Sequence, residues 1–348
     1  MTAASGAERL TEEDVRRARA AIEYYYEGGF TDGLPVVPPI EEFVQEFLAT
    51  TSRGHDEVVL ELTHLNRACT VRQAAINAVM AGCRPEYFPL VLAALDAFHQ
   101  IGGGTMMQST TGQAAAFIVN GPIRNRLGIN CQGNIFGPGH RPNATIGRAV
   151  RLIVLNVLEI RPHDLDQSTQ GTPAKFSCCF GENEEESPWE PLHVEMGFPA
   201  EASTVTAQLI RSDLHVEHRS TQDPLHILHS LADSLSYSGG IYEAPPYNRN
   251  NGAVVVMGPE HAQIVAAGGW TKQQVREFLY EHYGRRIADL RRFGKVIELE
   301  DEPDDRFVHS GRAPEALTIV VAGASNAGVS TVGTSFNSRR ATVAVETR

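Results

Sequence analysis

Two stretches of this chain repeat one pattern: AFIVNGPIRNRLGI, starting at Ala116, and AVVVMGPEHAQIVAAGG, starting at Ala253. Each reads as an apolar strand that ends in Gly-Pro and turns into a short helix. A longer amphipathic helix follows each one (from Asn143 and from Thr271). Apolar runs of strand length next to helical periods predict an α/β fold, with mixed sheets flanked by helices. The pattern fits two related α/β units, residues 1–200 and 201–348. It equally fits one connection type used twice.

The flanking segments agree with this class. Thr11 caps a helix to Tyr26, with Glu12, Glu13 and Asp14 in its first turn. Helices are predicted over Ile40–Ala49, Val71–Ala81, Pro85–His99 and Pro224–Leu235, and strands over Glu57–Leu62, Thr204–Arg211 and Leu317–Ala322. Residues 101–113, 129–143 and 160–192 read as long loops, and the polar, glycine-rich stretch 130–149 runs from the second of them into a helix over Ala144–Leu158. The acidic run Glu182–Glu186 within the last loop reads as a solvated face.

Composition narrows the function. A net charge of −12 argues against a nucleic-acid binder, which needs a basic face. No stretch approaches 18 apolar residues, so no membrane span is expected, and without an apolar run after a basic start no secretory leader is expected either. The five cysteines are odd in number and form no CxxC, which points to reduced thiols in a cytoplasmic protein. A homo-oligomer is compatible with all of this.

Candidate chemistry gathers at glycine-rich strand ends. In α/β sheets ligands bind there, and a helix start offers free N–H groups to an anion. Asn120 and Gly121 at one junction, and Gly258, Glu260 and His261 at the other, are expected to bind a small anionic substrate. Arg148 is expected to clamp that anion, and Asn143 either to contact it or to cap its helix. Asp32, in TDGLPVVPP, is a candidate acid or base within a turn. Cys83, Cys131 and Cys178 are the candidate thiols, with His140 as the proton donor or acceptor. Neither a Walker A nor a dinucleotide fingerprint is present, so no cofactor is assigned. The rival chemistry is a metal-dependent lyase or hydrolase built on His215, His218, His226 and His229.

TDGLPVVPP, INAVMAGCRPEYFP, VNGP…LGIN…FGPGHRPNATIGRA and VVMGPEHA together resemble a poorly characterised bacterial family. Its chains accompany UGSC-type (seleno)proteins. The resemblance spans most of residues 24–330 and implies a small redox (seleno)protein partner that supplies the motif this chain lacks. The resulting expectation is a thiol-dependent oxidoreductase or lyase, or the substrate-binding subunit of one. A non-catalytic partner subunit is the third reading.

Overall fold

The computed structural model describes residues 10–237, 250–295 and 301–346. The start of the segment read for a leader, residues 1–9, lies outside them. The first half runs α1 (Glu12–Glu27), α2 (Glu41–Leu48), β1 (Val58–Leu62), β2 (Arg67–Thr70), α3 (Val71–Ala81), α4 (Phe88–Gln100), α5 (Gly103–Met106), β3 (Ala114–Asn120), α6 (Ile123–Leu127), α7 (Arg141–Asn156), β4 (Cys179–Gly181) and α8 (Leu192–Glu195). The second runs β5 (Thr204–Ile210), β6 (Ser212–Glu217), α9 (Pro224–Leu235), β7 (Gly252–Met257), α10 (Pro259–Ala267), α11 (Lys272–His282), β8 (Gly284–Arg286), α12 (Ile287–Arg292), β9 (Phe307–His309), β10 (Leu317–Val321), β11 (Val329–Ser335) and β12 (Arg340–Ala344).

Eight strands form two four-stranded sheets, in the orders β12-β5-β3-β4 and β10-β7-β11-β6. They stack face to face. Ala116 and Ile118 of the first sheet meet Val254, Val256 and Val320 of the second in one apolar layer. The outer face of the first sheet, through Phe117, Val119 and Leu209, packs on α4 and α7, and α3 packs on those two helices. The outer face of the second, through Val255, Met257 and Ile319, packs on α9, α10 and α11. With both faces covered, β3, β5 and β7 are buried at every position, which is why they read as unbroken apolar runs.

The fold class expected from sequence is the one observed, and the two sheets have the same topology. In each, the strand that ends in Gly-Pro pairs parallel with one neighbour and antiparallel with the next: β3 with β4 and β5, β7 with β10 and β11. Each sheet then receives its fourth strand from the other half. β6 continues from β5 but pairs with β11, and β12 continues from β11 but pairs with β5. In this reciprocal exchange β5 and β12 complete the sheet of β3 and β4.

The two Gly-Pro junctions are not equivalent. Gly258 (φ −62) caps α10 and Pro259 opens it, as a helix-starting proline should. Gly121 instead sits at φ +78, and Pro122 is the cap residue of α6. The cap of α7 also differs from expectation. It falls on His140, without a side-chain bond, rather than on Asn143.

Candidate functional site

Between the sheets lies a cavity of about 360 Å³, in the size range of sites for small organic molecules. Its floor is apolar: Ala116 of β3, Phe180 of β4, Ile210 of β5, and Val254 and Val256 of β7. The glycine-rich segment before α7 supplies one wall, Ile135 to Pro138, and the chain before β4 supplies another, Pro173 to Cys178. Phe136 and Phe176 line it while about half exposed, and Phe136 packs edge-on against Phe180 at 5.1 Å. Exposed aromatic rings at a recess are costly unless something covers them. The polar lining is sparse: Ser177, Thr331 and Asn143, with Asp213 as the one carboxylate. Asp213 is exposed on β6.

The residues expected to hold an anion are occupied by the protein itself. Arg148 Nε and Nη2 donate to Asp32 Oδ2 and Oδ1 at 2.8 and 2.7 Å, and Nη2 also reaches the carbonyls of Leu34 and Pro35. Arg148 and Asp32 therefore tie the TDGLP turn to α7. At the first Gly-Pro junction, Asn120 Nδ2 and Gly121 N both donate to Glu184 Oε1, at 2.9 and 2.7 Å. A carboxylate does sit at this strand end, but it is the chain's own. At the second, Gly258 N donates to Ser330 Oγ, and the fully buried His261 is bonded to Ser330 Oγ and His218 O. Burial holds its imidazole below the usual range. Glu260 is half-buried in the first turn of α10, with no side-chain partner among the described residues. Asn143 borders the cavity, yet its amide is spent on the backbone of Asn130, accepting from N at 2.8 Å and donating to O at 3.0 Å. His140 is half-buried beside that wall and does not line the cavity.

All five thiols are buried and unpaired as disulfides. Burial pushes Cys83 and Cys178 up to about 12, and raises Cys131 as well despite the nearby Arg124. The Cys83 thiol donates to Thr145 O at 3.3 Å in a closed environment. Of the three candidate thiols, only Cys178 borders the cavity.

The acidic run also departs from expectation. Glu182 is fully buried, accepting from Asn120 Nδ2 at 2.6 Å and Leu192 N at 2.8 Å. Arg124, itself buried, donates to the Glu182 carbonyl and pairs with Glu184 and Glu185. Glu186 accepts from Asn183 and Ser325, which joins the end of β4 to the turn after β10. A signal existed in the sequence, since this run directly extends the apolar strand SCCF.

The four candidate metal histidines do not converge. His218 stacks on His226, whereas His229 packs on Phe278 and His282. Among the described residues no group of three or more His, Cys, Asp or Glu is placed to hold an ion. No helix among them is long and apolar enough to cross a membrane. Comparison finds no family model that matches this chain, and no match among curated proteins or solved structures.

Proposed function

We propose that this protein binds, and as an enzyme acts on, a small organic molecule held between its two sheets. The apolar body lies against Ala116, Phe180, Val254 and Val256, and a hydrogen-bonding or cationic group faces Asp213. The observation that carries this reading is the cavity itself: apolar, walled by two irregular segments, rimmed by exposed aromatic rings and furnished with one carboxylate. A lone carboxylate repels an anion and attracts an amine, so the anionic substrate expected from sequence is not assigned here. Thiol chemistry on this ligand would run through Cys178, whose proton must first be removed.

The test is calorimetric titration with arylalkyl amines, alcohols and carboxylates of matched size. Amines should bind best and carboxylates worst. Asp213→Asn should erase the preference for amines, and Ala116→Leu should weaken every ligand by filling the floor. Equal binding of the three classes, or affinity unchanged in Ala116→Leu, overturns the assignment.

A further inference from the structure

The turn Pro173–Lys175 and Phe176 separate the inter-sheet cavity from a second, wider recess of about 880 Å³, and Pro173 and Phe176 line both. The charge that lines this recess has the opposite sign to that of the chain as a whole. Arg151, Arg161, His163 and Lys175 line it together with Asp32 and Asp166. The two carboxylates contribute little to the surface a ligand meets. Asp32 has a side-chain exposure of 4% and is gripped by Arg148. Asp166 has one of 2% and is the hub of its loop, accepting from Lys175 Nζ at 2.7 and 2.8 Å and from Arg151 Nη2 at 3.1 Å, as well as from Ser168.

Charge counting then decides what the recess presents. Arg151 and Lys175 bring two positive charges to the single carboxylate of Asp166, which leaves one uncompensated. Arg161 is exposed and its guanidinium has no partner among the described residues, which adds a second. The scaffold around these cations is fixed. His163 is held at φ +69, and its N–H donates to Asp166 O at 3.1 Å. Thr169 N donates to Thr110 O at 3.0 Å, where the backbones of Gly112 and Gly171 approach so closely that a Cβ on Gly112 would lie 2.6 Å from Gly171 Cα. Non-glycine residues held in the left-handed region persist where the surroundings over-determine them, and such residues cluster at ligand sites.

We infer that this recess is a binding site for a phosphate monoester, separate from the inter-sheet cavity, with Arg161 as its principal contact and the Arg151–Lys175 pair supplying the remaining positive field. A monoester carries close to two negative charges at neutral pH and three acceptor oxygens, which matches two uncompensated cations. The planar guanidinium of Arg161 suits two of those oxygens at once.

The experiment is titration of the full chain with glycerol 2-phosphate, followed by calorimetry and by the phosphorus resonance of the ester, with glycerol and acetate as controls. These probes have no apolar body for the other cavity. The ester should bind, with affinity falling as salt is raised, and both controls should bind at least ten-fold more weakly. Arg161→Met should cost at least ten-fold in affinity without changing the melting temperature, since Arg161 supports nothing else. Ala116→Leu should leave ester binding unchanged, so this site and the inter-sheet cavity succeed or fail independently. Absence of ester binding, acetate binding equal to it, or wild-type affinity in Arg161→Met overturns the assignment.

Discussion

Asn120 Nδ2 donates to Glu182 Oε2 at 2.6 Å, and both side chains are sealed from solvent. The remaining oxygens of the pair, Asn120 Oδ1 and Glu182 Oε1, are buried acceptors without a donor. A proton on Glu182 supplies the missing donor, and burial does push its carboxyl up, against the opposing pull of Lys272. Glu182→Gln places an amide N–H where that proton would be. It should therefore cost less than about 1 kcal/mol, whereas Glu182→Ala should cost about 1–3 kcal/mol by stranding Asn120 and Leu192 N. The sign with pH follows from linkage. A carboxyl raised in the folded state adds no cost below its unfolded value of about 4.3, and lowers stability as pH climbs from there through the folded value. Chemical denaturation across pH should show Glu182→Gln gaining on wild type over that window and then holding a constant lead. A flat difference would mean that Glu182 keeps an ordinary carboxyl.

Arg148 and Asp32 give a prediction of the opposite kind, in which a residue expected to bind substrate is structural. Removing the guanidinium leaves the Asp32 carboxylate enclosed without its partner. Loss of one member of such a pair costs about 3–5 kcal/mol. Arg148→Met should lower the melting temperature accordingly, and adding Asp32→Asn should recover part of the loss. Ligand affinity in the inter-sheet cavity should not change in either variant. A normal melting temperature combined with lost binding would return Arg148 to the substrate site.

These cases show what was legible in the sequence. The helix starts at Thr11 and Thr271 were read correctly, and both threonines form capping boxes, whereas the start of α7 was placed at Asn143 instead of His140. The strands β3, β5, β7 and β10 were visible because burial on both faces makes them continuously apolar. β6 and β12 were not, because each is an edge strand donated to the other half and is only partly buried. The burial of Cys83 and the pairing of Arg148 with Asp32 were not legible, for one physical reason. Charge and thiol chemistry depend on burial and on partners over a hundred residues away, such as Asp32 for Arg148, and sequence proximity carries neither. The inter-sheet cavity was half legible. The glycine-rich stretch over 130–149 was singled out and does form a wall, but its opposite face comes from strands that only the tertiary fold brings across.

The glycines of the two Gly-Pro junctions separate two reasons for being glycine. A Cβ at Gly258 would lie 2.1 Å from Val329 O, although its φ of −62 suits any residue. A Cβ at Gly121 would lie 2.0 Å from Ala202 O, and the residue also sits at φ +78. Both alanine variants should unfold at lower denaturant than wild type. Gly121→Ala should lose about 1–2 kcal/mol more than Gly258→Ala, the cost of a left-handed L-residue. Equal losses would show that crowding alone selects glycine at both junctions.

The thiols supply a direct measure of whether the inter-sheet cavity admits molecules from solution. With Cys178 pushed up to about 12, its thiolate fraction at pH 8 is about 10⁻⁴, so hydrophilic alkylating reagents should label all the cysteines slowly. Cys178 borders the cavity, whereas Cys69, on β2, is fully buried in the core on the other side of the first sheet, with its value also raised to about 12. Small apolar maleimides should therefore label Cys178 ahead of Cys69, and the rate should climb with pH well past 9 instead of levelling near 8.5. A ligand seated between the sheets should protect Cys178 and its neighbour Cys179, which also lines the cavity, and leave the rates of Cys69, Cys83 and Cys131 unchanged. Peptide mass spectrometry on the native protein reads all five sites together. A plateau near pH 7 at Cys178 would show an activated thiol and restore nucleophilic chemistry to it, and equal labelling of Cys69 and Cys178 would show that no cavity is open to the reagent.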